Sequence, residues 1–145
     1  MAIKNKAFSN LDEIELLTIN QLNTHPELET FYVASYQRGY RWGKEEVQYL
    51  LNDINGIASD KKYCIQPLAV TKRENENCEW ELIDGQQRTT TVFLIQAVLR
   101  NCYSLHTETF YKLDYNTRKS TKAFLNDISE NDIIKAFLGD DFEAE

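Results

Sequence analysis

The sequence predicts a mixed α/β (α+β) domain, a small mixed sheet with flanking helices. Two long stretches of helical spacing, 44–59 and 86–103, are interleaved with short runs rich in aromatic and β-branched residues. A polar stretch at 73–77 separates two of those runs and predicts an antiparallel hairpin. The chain has 145 residues, of which 42% are hydrophobic and 27% charged, enough for one compact globular domain.

Along the chain, Glu15 to Asn20 alternates weakly and reads as a short strand running into a turn. His25-Pro26 breaks the chain, because the residue before a proline is pushed away from helix. Phe31-Tyr32-Val33 reads as a second strand, and residues 35–43 as a loop with glycine at 39 and 43. The helix predicted from Lys44 to Ser59 carries Val47, Leu50, Leu51, Ile54, Ile57 and Ala58 on one side. Tyr63 to Thr71 and Cys78 to Ile83 form the hairpin strands. Trp80 and Leu82 share a face with Cys78, while Glu79 and Glu81 face away.

A helix from Gln86 to Tyr103 follows, with Val92, Phe93, Ile95, Ala97, Val98, Leu99 and Cys102 as apolar surface packed on the hairpin. Thr109 to Tyr115 reads as a further extended segment. Two short helices close the chain, Ser120 to Ile128 and Glu130 to Leu138, the last capped by Ser129 with Asp132 and stopped by Gly139. The expected organisation is a domain over 1–128 and the start of a helical extension over 129–145, cut from a larger protein.

Net charge is −7, from 16 Lys+Arg and 23 Asp+Glu. Six acids and one base fall between Ser129 and Glu145, so the first 128 residues carry only −2 and can hold a basic patch. No apolar run approaches the roughly 20 residues of a bilayer span, and the charged N-terminus has no apolar signal core. The expectation is a soluble cytoplasmic chain that does not engage a membrane. Cys64, Cys78 and Cys102 are an odd set without CxxC spacing and predict reduced thiols. His25 and His106 lack the spacing of a zinc site.

Two segments carry chemistry. In the first, a strand ends at Ile83 and a helix starts almost at once, through Asp84-Gly85-Gln86-Gln87-Arg88. Such a turn presents free backbone N–H groups at the positive end of a helix dipole, an anion site. Gly85 lets backbone approach a ligand, the glutamines offer amides, and Arg88 offers a bidentate fork. Arg88 opposes the dipole, and Thr89-Thr90-Thr91 puts β-branched residues into a helix; such local rule-breaking points to function. The competing structural account makes Asp84 an N-cap and pairs Arg88 with a surface acid.

The second segment is Tyr36-Gln37-Arg38-Gly39-Tyr40-Arg41-Trp42, arginines interleaved with aromatics as in phosphate and base binding. Tyr40 and Trp42 read as anchors of the loop to the core. For Gln37 and Arg38, ligand contact and solvation stand level. Both segments follow strands, and each is too small to hold a nucleotide alone, so they are expected to converge on one pocket.

Ser35 to Trp42, a helix, then a hairpin ending Ile83-Asp84-Gly85-Gln86-Gln87-Arg88-Thr89-Thr90-Thr91 resembles the DGQQR-motif domain. This is the GmrS-like N-terminal half of GmrSD-type modification-dependent restriction proteins, similar to the ParB/sulfiredoxin fold. Tyr115 to Arg118 and Phe124-Leu125 extend the likeness, which runs from about residue 14 to 128. It departs at Ala34, at Thr89 where a larger aliphatic is usual, and at Gln66 where a glycine is usual.

The resemblance implies an NTP-binding and hydrolysing regulatory domain, often GTP-preferring, of a phage-defence restriction system. Asp84, Gln86, Gln87 and Arg88 are then the catalytic residues, and Tyr36, Gln37, Arg38, Gly85 and Thr90 hold the nucleotide. Mg2+ accompanies the nucleotide, with Asp84 as its candidate ligand. DNA is a candidate partner, and cleavage belongs to a C-terminal nuclease domain, since this chain has no HNH signature. A DNA nickase or modified-DNA sensor using the same site is the first alternative, and a non-enzymatic partner-binding module the second.

Overall fold

The computed structural model describes residues 2–4, 14–73, 79–103, 110–116 and 119–130. The expected mixed α/β fold is present. At the N-terminus β1 (Ala2–Lys4) and β2 (Ile14–Leu16) pair antiparallel. The predicted strand over 15–20 is shorter, because α1 (Ile19–Asn23) starts where Thr18 caps it. The Thr18 hydroxyl accepts from the Gln21 N–H at 3.2 Å, and the Gln21 side chain accepts from the Thr18 N–H at 2.9 Å. The helix ends at Thr24, just before His25-Pro26.

Among the described residues four strands make the central sheet: β3 (Thr30–Val33), β4 (Ala69–Lys72), β5 (Trp80–Asp84) and β6 (Lys112–Tyr115), in the order β4-β5-β3-β6. The β4–β5 pair is the antiparallel hairpin expected, while β5 and β6 both run parallel to β3. The predicted first hairpin strand over 63–71 is corrected to 69–72. Gln66 adopts φ 55, a conformation that favours glycine, and Pro67 has no N–H, so no ladder can run through them. In β5 Trp80 and Leu82 face the core as predicted. Glu79 is buried too, against expectation, because it forms an ion pair with Arg73, whose guanidinium lies 3.6 Å over the Tyr32 ring.

The helix α2 (Lys44–Asn55) opens with the Glu46 carboxylate accepting the Gly43 N–H at 2.8 Å. It stops at Gly56, short of the predicted Ser59. Of its apolar side only Leu50 is buried, in a small cluster with Ile65 and Val92, while Leu51 and Ile54 stay exposed.

The long helix α3 (Gln86–Tyr103) has the predicted bounds and fills the main core, where Phe93 and Ala97 meet Phe31, Leu82 and Tyr111. Phe31 and Tyr111 meet edge to face at 5.3 Å. Val98 and Leu99, expected to be core, are exposed, and the threonines are buried instead. Each threonine hydroxyl donates to the carbonyl four residues back: Thr89 to Gly85 at 3.0 Å, Thr90 to Gln86 at 2.7 Å and Thr91 to Gln87 at 2.9 Å. A hydroxyl satisfied this way is a small core group, so the run is explained by packing. α4 (Lys119–Glu130) adds Leu125 and Ile128 to the core, and Arg100 donates to the Ile128 carbonyl at 3.2 Å.

Cys64 and Cys102 are free thiols, as expected. The predicted turn at 74–77, Cys78, His106, Thr109, Thr117-Arg118 and the helix over 130–138 beyond Glu130 lie outside the described residues. Among the described residues no helix is long and apolar enough to cross a membrane.

Candidate functional site: an arginine-lined cleft

Strands β3 and β5 lie side by side and parallel, so the loop after β3 and the turn after β5 emerge at the same edge of the sheet. Open α/β sheets place ligands at this edge. After β5, the chain turns at Gly85, with φ 94, directly into α3. Gly85, not Asp84, caps the helix, its carbonyl accepting the Thr89 N–H at 2.9 Å. A Cβ on Gly85 would lie 2.3 Å from Cδ2 of the buried Leu68. The glycine is therefore required by a core side chain, where the sequence suggested a ligand.

The loop after β3 is held in place by α3 and β5. The Gln87 side chain accepts from the N–H groups of Arg41 at 2.7 Å and Trp42 at 3.3 Å, and donates to the Gly39 carbonyl at 3.1 Å. Gln37 donates to the Leu82 carbonyl, and its buried Oε1 has no hydrogen-bond partner among the described residues. Tyr40 shares a hydrogen bond with Thr91 at 2.9 Å, and Trp42 packs on the Leu50 cluster, so both aromatics anchor the loop as expected.

Between this loop, the 84–88 turn and Gln66 lies a cleft of about 370 Å³, within the range of small-molecule sites. Arg38 and Arg88 both line it, so the two segments do converge. Arg88 is largely withdrawn from solvent. It donates to Asp84 at 3.1 Å, to the Pro67 carbonyl at 3.2 Å and to the Gln66 side chain. Those bonds use three of its five N–H groups, and the other two have no partner among the described residues. Arg38 and Arg41 have no ion-pair partner among the described residues. The cleft thus sets three guanidinium groups and the N-terminus of an 18-residue helix against one carboxylate, Asp84, whose side chain is 72% exposed. Such an arrangement favours negative over positive charge in the cleft.

Of the residues proposed from sequence, Arg38, Asp84, Gly85, Gln86, Gln87 and Arg88 line the cleft. Three do not. Tyr36 is exposed and donates to Glu81, a bond that raises its pKa. Gln37 is turned to the Leu82 carbonyl. Thr90 is 3% exposed, its hydroxyl held between the Gln86 carbonyl and Tyr115. Conversely Arg41, Trp42 and Gln66 line the cleft and were not proposed. Arg41 sits in the same arginine–aromatic loop, and that composition was the signal available for it. Gln66 carried a weaker one, standing before a proline where the similar family usually has glycine.

Among the described residues no three His, Cys, Asp or Glu side chains cluster as a metal site. Among the described residues Asp84 is the sole carboxylate lining the cleft. One carboxylate still suits Mg2+, which fills its shell with water and phosphate oxygens when it arrives with a nucleotide.

Fold and cleft together define a mixed α/β domain with an arginine-lined cleft at the carboxyl ends of adjacent parallel strands. The family model for the GmrSD restriction endonuclease, N-terminal domain, matches residues 16–143. The chain belongs to that family. No curated protein and no solved structure matches it.

Proposed function

We propose that this chain is the NTP-binding and hydrolysing regulatory domain of a modification-dependent restriction system that acts against phage DNA in the cytoplasm. One observation carries the reading: Arg38 and Arg41, without ion-pair partners among the described residues, meet Arg88 at the N-terminus of α3. Phosphoryl transfer asks the protein chiefly to position and neutralise a polyphosphate. The roles follow from the positions. Arg38 and Arg41 neutralise phosphate oxygens, and Arg88 adds its two open N–H groups. Gln86 orients phosphate or the attacking water, while Gln87 acts indirectly by holding the arginine loop. Asp84 would hold Mg2+ with the phosphates, and the ion supplies further charge neutralisation there. DNA cleavage is assigned to a nuclease domain following this one, or to a partner subunit.

The test is phosphate release from each NTP, with and without magnesium, beside plasmid DNA as a second substrate. Turnover that falls at least tenfold in Arg38→Ala supports the reading, since a charge-assisted bond of about 1.5–3 kcal/mol is lost. Plasmid nicking without nucleotide turnover would transfer the cleft to the nickase alternative. Neither reaction, with no nucleotide binding, would leave a partner-binding module.

A further inference from the structure

A second hollow of about 280 Å³ adjoins the arginine cleft, and the two share Trp42, Gln66 and Arg88. They are two ends of one groove with opposite chemistry. The second end is built on α2, where Glu46, Tyr49, Leu50 and Asp53 recur at the spacing that puts them on one helix face. Its other wall is Tyr63 and Ile65. Tyr49 is 69% exposed, an aromatic ring left unburied beside a polar cleft. The Tyr63 hydroxyl donates to Oδ2 of Asp53 at 2.9 Å, which fixes the carboxylate and raises the Tyr63 pKa. Oδ1 of Asp53 has no partner among the described residues.

We propose that this end is a subsite for the heterocyclic base of the nucleotide whose phosphates occupy the arginine cleft, so it rests on the function proposed above. Three physical points support it. Rings stack on tyrosine and tryptophan faces, and this hollow has three such side chains, Trp42, Tyr49 and Tyr63. A ring N–H or exocyclic amine finds an acceptor in the open oxygen of Asp53, a charge-assisted bond. The carboxylates of Glu46 and Asp53 repel phosphate, so the polyphosphate is confined to the arginine end and the ligand has one orientation.

The experiment is titration of the full chain with GTP, ATP, CTP, UTP and inorganic tripolyphosphate, repeated on Tyr49→Ala and Asp53→Asn. Both substitutions fall on exposed positions of α2. The expected result is at least one NTP binding about tenfold or more tighter than tripolyphosphate. Tyr49→Ala then removes that advantage and Asp53→Asn reduces it, with tripolyphosphate affinity unchanged in Tyr49→Ala and unchanged or raised in Asp53→Asn, where a repelling charge is lost. If tripolyphosphate binds as tightly as every NTP, and neither variant shifts any affinity, the base subsite is overturned while the phosphate cleft stands. If Tyr49→Ala weakens tripolyphosphate equally, Tyr49 serves the phosphate end or the fold, which also overturns it. If nothing binds, the nucleotide reading itself falls and the subsite with it.

Discussion

Replacing Gly85 by alanine separates two accounts of one residue. An alanine at φ 94 carries roughly 1–2 kcal/mol of backbone strain. Its methyl would also sit 2.3 Å from Cδ2 of Leu68. Leu68 is 2% exposed and belongs to the main core, so it cannot swing into solvent. Forcing it aside is an overpacking error of about 1–3 kcal/mol. The expected loss is therefore about 2–5 kcal/mol, a large share of the roughly 5–15 kcal/mol that holds a domain together. Urea unfolding followed by far-ultraviolet circular dichroism measures it. Leu68→Ala makes room for the new methyl, so the Gly85→Ala and Leu68→Ala costs should fail to add by about 1 kcal/mol or more. A Gly85→Ala protein within about 0.5 kcal/mol of wild type, with nucleotide affinity lost, would refute the steric argument and restore the ligand-approach reading.

Three other outcomes follow from the geometry. Arg88→Ala is expected to destabilise by about 1–3 kcal/mol, because Asp84, Gln66 and the Pro67 carbonyl lose their donor; Arg38→Ala should change stability by less than about 0.5 kcal/mol, and equal melting curves for the two variants would contradict this. Gln87→Ala should cost about 1–3 kcal/mol and speed hydrogen exchange at the Arg41 and Trp42 amides, which lose their acceptor; unchanged exchange would show the loop is held otherwise. Burial raises the pKa of both Tyr111 and Tyr115, so above about pH 10 the unfolded chain ionises tyrosines that the folded chain keeps neutral. The folded state then binds more protons, and stability should fall with rising pH, at a limiting slope of about 1.4 kcal/mol per unit for each group while its folded form stays neutral. Tyr111→Phe should flatten that slope in urea midpoints taken between about pH 9 and 12.

Local features and the meeting of the two motifs were legible in the sequence, and the parallel strand pairings were not. The bounds of α3 were readable because a glycine turn starts it and helical periodicity runs unbroken to Tyr103. The convergence of Arg38 and Arg88 was readable because both follow strands, and strands β3 and β5 proved parallel neighbours. The pairing of β3 with β6 was hidden, since no local pattern encodes a partner so far along the chain. The segment 63–67 misled because its apolar and aromatic residues suit a strand, while Gln66 takes a backbone angle its residue type rarely adopts. Arg88 stands out in the sequence as a cation opposing the helix dipole, and its three acceptors show that it also joins the 66–67 segment to α3. Thr90 was misplaced for a related reason: a hydroxyl in a motif looks like a ligand group until its own helix satisfies it.

The parallel pairing of β3 with β6 has a consequence for biosynthesis. Thr30 is made before Lys112 and must wait for it, so the inner strand of the sheet has a bare edge until β6 is synthesised. Until Tyr111, Leu113 and Tyr115 clear the ribosome, the nascent core also lacks three of its buried side chains. A polypeptide stalled before this point would present an unpaired edge and a greasy face together, the combination that drives association between growing chains. Ribosome-arrested chains ending near residue 105 should therefore recruit holdase chaperones strongly, and chains long enough to expose residue 130 should release them.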